Sequence, residues 1–442
     1  MLDVAVIGGG FSGLAAARAL AGAGMQRIAL LEARDRVGGR VHGRALAGRQ
    51  PVELGATWVG PGQSAVLDLA DELGLGLRPQ WNRGDTLLVA HGVVHRASAA
   101  ASPVGDPAFI VSLDALARTV PLDAPWSAPR AEVWDAMSYA DHLAEAGLDE
   151  QDRAVVDAMT LLTFGALPDA LSFLYVLFYI HSAGGFHRLE AIEGGAQESR
   201  IIGGSHEIAD RMAQQLGPIV RLASPVSAIH DWDGPGPVRI ATPGGVVTAR
   251  RAILALSPSQ AAGIRFAPEL PASKAALLEA WPTSGSGVKV FVSYPEPFWR
   301  KQGFSGSVYN FDGPYTWAAD ASPEDEAIGV LGTLGLSPDG LSSEQRRAAI
   351  LASFARCFGE QALAPTDYAE LDWAQEGYTR GCVSPLEKGV LTRHGRALRA
   401  PTGRLAWAGT ETAERWTGYM DGALRAGRRA ALETLGALAR EG

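Results

Sequence analysis

Apolar and glycine-rich segments alternate over the first 32 residues in a pattern that predicts a β-α-β unit. Residues 2–7 form an apolar run typical of a buried parallel strand. Three glycines follow at 8–10, and an Ala- and Leu-rich segment then indicates a helix that ends near Gly22. A second apolar run at 28–31 comes directly before Glu32. We therefore expect a strand, a tight glycine turn, a helix and a second strand within about 30 residues.

The rest of the chain shows helical and strand patterns in alternation, without internal repeats. Residues 171–180 form the longest apolar run, which is too short to span a membrane and indicates a buried helix or a pocket wall. Residues 287–294 alternate as a strand, with Val288 on one face and Lys289 on the other. The pattern further predicts mostly helix at 108–185, short strands within 221–256, loops at 97–107 and 312–326, a helix at 342–358, a strand at 405–408 and a helix at 419–435. We infer two domains, each built from non-contiguous segments.

Composition and charge exclude several classes of function. The chain has 442 residues, 47% of them hydrophobic, and a formal net charge of −9. Because an acidic chain lacks the basic face that nucleic-acid phosphates require, we expect no nucleic-acid partner. Two cysteines exclude a disulfide framework, none of the nine histidines has metal-ligand spacing, and the opening strand gives no sign of a signal peptide. We expect a cytoplasmic protein with no metal and no membrane contact.

The glycine turn has the spacing of a dinucleotide-binding site. In Gly8-x-Gly10-x-x-Gly13, the first glycine permits the turn, the second lets the backbone approach a pyrophosphate, and the third lets helix and strand pack closely. The helix N-terminus would offer its free N–H groups to the phosphates. Glu32 follows at the end of the second strand, where a carboxylate binds a ribose hydroxyl and repels a 2′-phosphate. NADP is therefore disfavoured, while NAD and FAD stay open.

The residues after Glu32 indicate FAD. The run Ala33-Arg34-Asp35-Arg36-Val37-Gly38-Gly39-Arg40 resembles the FAD-binding signature of the amine oxidase and glutathione reductase flavoproteins, and Arg40 can reach a pyrophosphate or flavin as a charge-assisted donor. Other segments are similar to motifs of the flavin-dependent monoamine oxidase family, namely residues 53–61, 194–205, 297–301 and 404–422. The resemblance runs almost from end to end.

This resemblance implies an α/β fold, with a Rossmann-like FAD-binding domain plus a substrate domain that has a mixed β-sheet flanked by helices. It assigns residues 1–77, 202–277 and 375–442 to the FAD-binding domain, and 78–201 and 278–374 to the substrate-binding domain. It also implies which positions bind the cofactor: Gly8, Gly10, Gly13, Glu32, Arg34, Gly39, Arg40, Gly55, Ala56, Thr57, Val226, Cys382, Gly409, Glu411, Tyr419 and Met420.

Two residues are implied to be catalytic. Lys289 lies in a strand, where a lysine either extends to solvent or is buried for a function. The family pattern favours the second role, because a lysine at this position resembles the one that holds a water against flavin N5. Tyr419 resembles one wall of the family's aromatic cage, which orients the amine through the electrostatics of its rings.

The second wall of the cage departs from the family pattern, because Val383 stands where an aromatic residue is usual. Another aromatic residue would then replace it, with Trp58, Trp317 and Tyr315 as candidates, or the substrate is larger or is not a simple arylalkyl amine. Gln197 and Trp373 match family positions near the flavin and substrate. Trp373 could equally be core packing.

Cys382 occupies the position at which some relatives attach the flavin through a thioether. A single cysteine is usually a small buried hydrophobe. Relatives with a cysteine here also bind FAD without a covalent bond. Covalent and non-covalent FAD therefore both stay open.

The implied activity is FAD-dependent oxidation of a small-molecule amine by hydride transfer to flavin N5. The imine then hydrolyses to an aldehyde or ketone, and O2 reoxidises the flavin and yields H2O2. The alternatives on this scaffold are an L-amino-acid oxidase, which would need a carboxylate-binding arginine such as Arg188 or Arg380, and a C–C desaturase. A third is a flavin-binding scaffold protein without turnover. A homodimer is compatible with the sequence.

Overall fold

The computed structural model describes residues 1–46, 50–97, 107–282, 287–335 and 341–441. Most of the loop predicted at 97–107 lies outside these residues. Within them, a first sheet, a second sheet and a helical layer surround one cavity. This mixed α/β architecture confirms the predicted fold class.

The first sheet is mainly parallel. Its strands are β1 (Leu2–Ile7), β2 (Ile28–Leu31), β10 (Val220–Arg221), β11 (Ala228–His230), β12 (Val238–Thr242), β13 (Gly245–Leu254), β14 (Arg265–Ala267) and β20 (Leu405–Trp407). They pair in the order β10-β2-β1-β13-β12-β11-β14, and β20 also pairs with β13. The parallel pairs of β1 with β2 and β13 place the carboxyl ends of these strands together, which is where open parallel sheets bind ligands.

Helix α1 (Phe11–Gly22) joins β1 to β2, which confirms the β-α-β prediction. Glycines allow two close contacts of this helix. A Cβ atom on Gly13 would lie 1.8 Å from the carbonyl oxygen of Gly8, and one on Gly427 would lie 2.0 Å from that of Ser12. Gly427 belongs to α15 (Met420–Ala439), which packs along α1. The sequence predicted that this helix begins at Tyr419. In the structure Tyr419 is the N-cap, and the helix begins one residue later.

The second sheet is mainly antiparallel. Its strands are β7 (Asp85–Ala90), β8 (Val93–Ala97), β15 (Val288–Tyr294), β16 (Phe304–Asn310), β17 (Trp317–Asp320), β18 (Gly329–Leu334) and β19 (Asp367–Asp372), in the order β19-β15-β18-β17-β16-β7-β8. Every residue of β15 is buried, so both faces of this strand pack against protein. The predicted loop at 312–326 was wrong, because β17 lies inside it and pairs with β16 and β18.

A helical layer covers residues 107–190. It contains α3 (Pro107–Ala117), α4 (Ala131–Ala136), α5 (Tyr139–Ala146), α6 (Glu150–Phe164), α7 (Phe173–Ala183) and α8 (Phe186–Glu190). The apolar run at 171–180 falls mostly in α7, where a shared core of apolar side chains buries it. None of the helices in the described part of the chain is long and apolar enough to cross a membrane.

The remaining elements are short or connect these layers. The strands are β3 (Gly43–Leu46), β4 (Gln50–Glu53), β5 (Trp58–Val59), β6 (Leu77–Pro79) and β9 (Ser199–Ile201). The helices are α2 (Ser64–Glu72), α9 (His206–Leu216), α10 (Pro258–Ala261), α11 (Ala272–Ala280), α12 (Phe298–Lys301), α13 (Ser343–Phe358) and α14 (Val390–His394). Helix α13 confirms the prediction at 342–358, and Ser342 caps it by accepting a hydrogen bond from Gln345.

Candidate active site

A cavity of about 310 Å³ is lined by residues from both sheets and the helical layer. Most of the sequence-predicted site residues line it. From the predicted cofactor set these are Gly8, Gly10, Glu32, Arg34, Gly39, Arg40, Gly55, Ala56, Thr57, Cys382, Gly409, Tyr419 and Met420. From the predicted catalytic and substrate set they are Lys289, Trp58, Gln197, Val383, Trp317 and Trp373.

Four predicted residues do not line the cavity. Tyr315 packs in the core of the second sheet, and its hydroxyl lies 3.1 Å from that of Ser353, so its ring cannot replace the missing cage wall. Val226 packs against the core of the first sheet. Gly13 serves the contact between α1 and β1, and Glu411 is buried behind Arg40. In this structure Tyr315 and Val226 therefore lie away from the cavity for which they were predicted.

One part of the cavity has the geometry of a dinucleotide cradle. Gly8 has a φ of 103°, and a Cβ atom there would lie 2.7 Å from the carbonyl oxygen of Ala255. Glu32 accepts hydrogen bonds from the backbone N–H groups of Gly9 at 2.6 Å and Arg34 at 2.9 Å, which hold its carboxylate beside the turn. Helix α1 begins in this turn with no side-chain cap, so its first N–H groups are available to a phosphate.

A second part of the cradle comes from the C-terminal region. Arg40 donates a hydrogen bond of 2.7 Å to Glu411 and one of 3.1 Å to the carbonyl oxygen of Cys382. The other carboxylate oxygen of Glu411 is buried and has no hydrogen-bond partner within the described residues. Because Glu411 does not line the cavity, its role here is to hold the Arg40 side chain at the cavity wall. The N-terminus of α15 also faces the cavity through Tyr419 and Met420, and it has no side-chain cap. The residues present therefore fit FAD.

Lys289 extends from β15 into the cavity as a buried cation. Its Nζ donates a hydrogen bond of 2.7 Å to the carbonyl oxygen of Gly55 and another to the hydroxyl of Thr57. Nζ also lies 4.8 Å from the ring centroid of Trp58. Burial lowers the pKa of Lys289 to about 7, although the negative charge of Glu53 opposes this shift. The lysine can therefore donate or accept a proton near neutral pH.

Aromatic rings form much of the remaining wall. The ring centroid of Tyr419 lies 6.1 Å from that of Tyr179 and 5.1 Å from that of Trp416. Trp58 and Trp317 lie 5.3 Å apart. Both tryptophans line the cavity, as does Val383. This part of the wall therefore combines the rings of Tyr179, Tyr419, Trp58 and Trp317 with the small side chain of Val383.

Sequence reasoning missed several residues of this wall. Tyr179 was visible only as part of the apolar run of α7, and Tyr309 as part of an unassigned strand. Glu190 and Thr163 also line the cavity, and nothing in their sequence context marked them. The position of Glu190 depends on where the short helix α8 ends, which the local sequence pattern does not reveal.

Comparisons with known proteins agree with this geometry. Residues 11–435 match the family described as flavin containing amine oxidoreductase. The flavin-containing amine oxidase B of Sus scrofa is 35% identical over 453 residues, which cover 99% of this chain and 86% of the relative.

Two solved structures are also similar. The cyclohexylamine oxidase of Brevibacterium oxydans IH-35A is 32% identical, with a TM-score of 0.92 and coverage of 99% of both chains. A wild-type putrescine oxidase bound to putrescine is 31% identical, with a TM-score of 0.91 and coverage of 98% of this chain and 99% of that chain. Since the family match, these relatives and the FAD cradle agree, the chain belongs to the flavin-containing amine oxidoreductase family and is an FAD-dependent amine oxidase.

Proposed function

We propose that Tyr419 orients the reacting amine and that Lys289 assists the reaction of the reduced flavin with O2. The observation that carries this proposal is that one cavity joins the dinucleotide cradle, a buried lysine and a wall of aromatic rings. Bound FAD supplies the oxidising chemistry, since it takes two electrons from the amine and passes them to O2. The net reaction converts amine, O2 and water into aldehyde or ketone, ammonia or a smaller amine, and H2O2.

Tyr419 and Tyr179 orient the reacting amine. Their hydroxyls stay protonated, because burial raises the pKa of both tyrosines. The rings orient the amine through their quadrupoles, and a neutral ring carries no charge that would hold the amine as ammonium. The buried surroundings that lower the pKa of Lys289 also favour the neutral form of an amine. Oxidation requires that neutral form, because its nitrogen lone pair must be free.

Lys289 holds a water molecule through its remaining N–H group. In the ammonium form of Lys289, two of the three protons are donated, to Gly55 and Thr57, which fixes the direction of the third. A positioned donor of this kind can pass a proton to reduced oxygen. Gln197 contributes a second polar group, because its buried Oε1 has no hydrogen-bond partner among the described residues.

Cofactor contacts follow from the cradle. Gly8 and Gly10 let the backbone approach the pyrophosphate, Glu32 binds the adenosine ribose, and Arg40 serves the pyrophosphate or flavin. The two sheets also agree with the proposed division into an FAD-binding and a substrate-binding domain. Every strand of the first sheet falls within the proposed FAD-binding segments 1–77, 202–277 and 375–442. Every strand of the second sheet falls within 78–201 and 278–374.

The lining of the cavity favours an amine over an amino acid as the substrate. Among the described lining residues, the arginines are Arg34 and Arg40. Arg34 donates to Glu376 at 2.9 Å and Arg40 to Glu411 at 2.7 Å, so each is already paired with a carboxylate. Arg188 and Arg380 do not belong to the lining, and Arg188 donates to the carbonyl oxygen of Pro61. A substrate carboxylate would therefore find no arginine without a carboxylate partner among the described lining residues.

Anaerobic mixing tests the proposal. The yellow protein is mixed with primary, secondary and polyamines, and with L-amino acids, while the flavin absorbance is followed. Bleaching by amines but not by amino acids supports the proposed role of the cavity. Bleaching by amino acids alone would overturn it.

A further inference from the structure

A carboxylate in the amine oxidase cavity has no role in the account above. Glu190 is the last residue of α8 and lines the cavity. Thr163 of α6 also lines the cavity and donates a hydrogen bond of 2.5 Å to Oε1 of Glu190. This hydrogen bond fixes the side chain. Glu190 is half-buried.

The charge of Glu190 is not compensated within the described part of the chain. Burial raises its pKa to about 7, the hydrogen bond from Thr163 opposes this shift, and no cationic side chain contributes. Glu32 is the other carboxylate in the described lining, and two backbone N–H groups already bond to it. Glu190 is thus the carboxylate of the cavity that lacks charged or backbone partners. A buried carboxylate of this kind gains most from a cation that comes with the ligand.

Glu190 also lies near the aromatic wall. Burial raises the pKa of Tyr179, Tyr309 and Tyr419, and the negative charge of Glu190 is among the neighbouring charges that raise it further. The geometry agrees, because Thr163, which bonds to Glu190, is followed by Phe164, whose ring centroid lies 4.8 Å from that of Tyr179. The carboxylate therefore belongs to the same part of the cavity as the proposed amine-binding rings. A molecule held by Tyr419 at one end can extend toward Glu190.

We propose that Glu190 determines substrate specificity by binding the distal ammonium group of a diamine or polyamine while the proximal amine lies against Tyr419. The inference rests on the proposed function and names its substrate class. An ammonium group would pair with the free carboxylate oxygen, and Thr163 would keep the carboxylate in place. Trp58, Trp317 and Val383 would line the path of the methylene chain. A monoamine of the same length would leave the buried carboxylate without a partner.

The test compares three amines of equal chain length: an α,ω-diaminoalkane, an ω-amino alcohol and an n-alkylamine. For the wild type we expect the highest kcat/KM with the diamine. In Glu190→Gln, which keeps the size and loses the charge, the ratio of diamine to alkylamine kcat/KM should fall by about 30-fold or more. Glu193→Gln is the matched control, because Glu193 is exposed, lies three residues away and does not line the cavity. Its ratio should equal that of the wild type.

A binding measurement separates this inference from the proposed function. The probe is a diamine whose carbons next to nitrogen carry no hydrogen, so that it cannot be oxidised, and its binding is read from the flavin absorbance. Glu190→Gln should weaken this binding by the same factor, whether or not the wild type oxidises any amine. Equal binding by wild type and Glu190→Gln would overturn the role of Glu190 and leave amine oxidation standing.

Two further outcomes sharpen the result. If Glu190→Gln lowers kcat/KM equally for the diamine and the amino alcohol, the site recognises a hydrogen-bond donor rather than a charge, and the proposal is wrong. If Glu190→Gln does not bind flavin, Glu190→Asp is tested in its place. It keeps the charge on a shorter side chain, so the preferred diamine should become longer by one methylene group. An unchanged length preference would contradict the proposal.

Discussion

The ammonium group of Lys289 donates a hydrogen bond of 2.7 Å to the carbonyl oxygen of Gly55. This contact joins strand β15 of the second sheet to the segment that follows β4. It also holds a buried cation in the wall of the cofactor cavity. The proposed reaction with O2 depends on this lysine.

Replacing Lys289 with Met should slow the reoxidation of the reduced flavin by O2 by roughly 10-fold or more, because the donor that positions water is lost. Stopped-flow mixing of the amine-reduced enzyme with oxygenated buffer measures this rate. Lys301→Met is the matched control, since Lys301 is exposed and pairs with Glu296 at the surface. Equal oxygen reactivity in wild type and Lys289→Met would refute the assignment.

The same lysine should make stability depend on pH. Burial lowers its pKa from 10.5 to about 7, so between these values the unfolded chain binds more protons than the folded protein. Stability therefore rises with pH across this range. From pH 7 to 9, the wild type should gain roughly 2 kcal/mol in the free energy of unfolding relative to Lys289→Met. Denaturant unfolding at both pH values measures the difference, and parallel pH curves for the two proteins would contradict the lowered pKa of Lys289.

Gly13 and Gly22 lie in the same helix and should respond differently to alanine. A Cβ atom on Gly13 would meet the carbonyl oxygen of Gly8 at 1.8 Å, whereas one on Gly22 would meet nothing within 4 Å. Gly13→Ala should push α1 away from β1 and lower the flavin content of the purified protein. Gly22→Ala should retain full flavin content. The ratio of flavin to protein absorbance checks both variants, and full flavin content in Gly13→Ala would show that this helix contact is not needed.

Acid precipitation should release FAD from the protein. Cys382 lines the cavity, but burial raises the pKa of its thiol even though Arg40 and Lys289 oppose the shift. The thiol therefore stays protonated, and a protonated thiol is a poor nucleophile. We expect yellow supernatant and a colourless pellet, as for Cys382→Ala. A yellow pellet from the wild type alone would demonstrate the covalent bond.

The β-α-β unit that carries the glycine turn was predicted from the sequence because its determinants are local. The spacing of Gly8, Gly10 and Gly13 between two apolar runs requires no distant contact to interpret. The candidate cage residues Tyr315 and Trp317 could not be told apart from the sequence, because their positions depend on how strand β17 packs in the fold. Tyr315 precedes β17 and packs against the core, whereas Trp317 begins this strand and lines the cavity. Glu190 could not be found at all, since its environment depends on Thr163 from another helix.

The central claim is that this cavity oxidises amines with bound flavin, and anaerobic mixing with a series of amines tests it most directly. Loss of the flavin absorbance on mixing with at least one amine, with no loss on mixing with L-amino acids, is the predicted result. Diamines should act more efficiently than monoamines of equal length. A flavin that stays oxidised with every amine in the series would contradict the account.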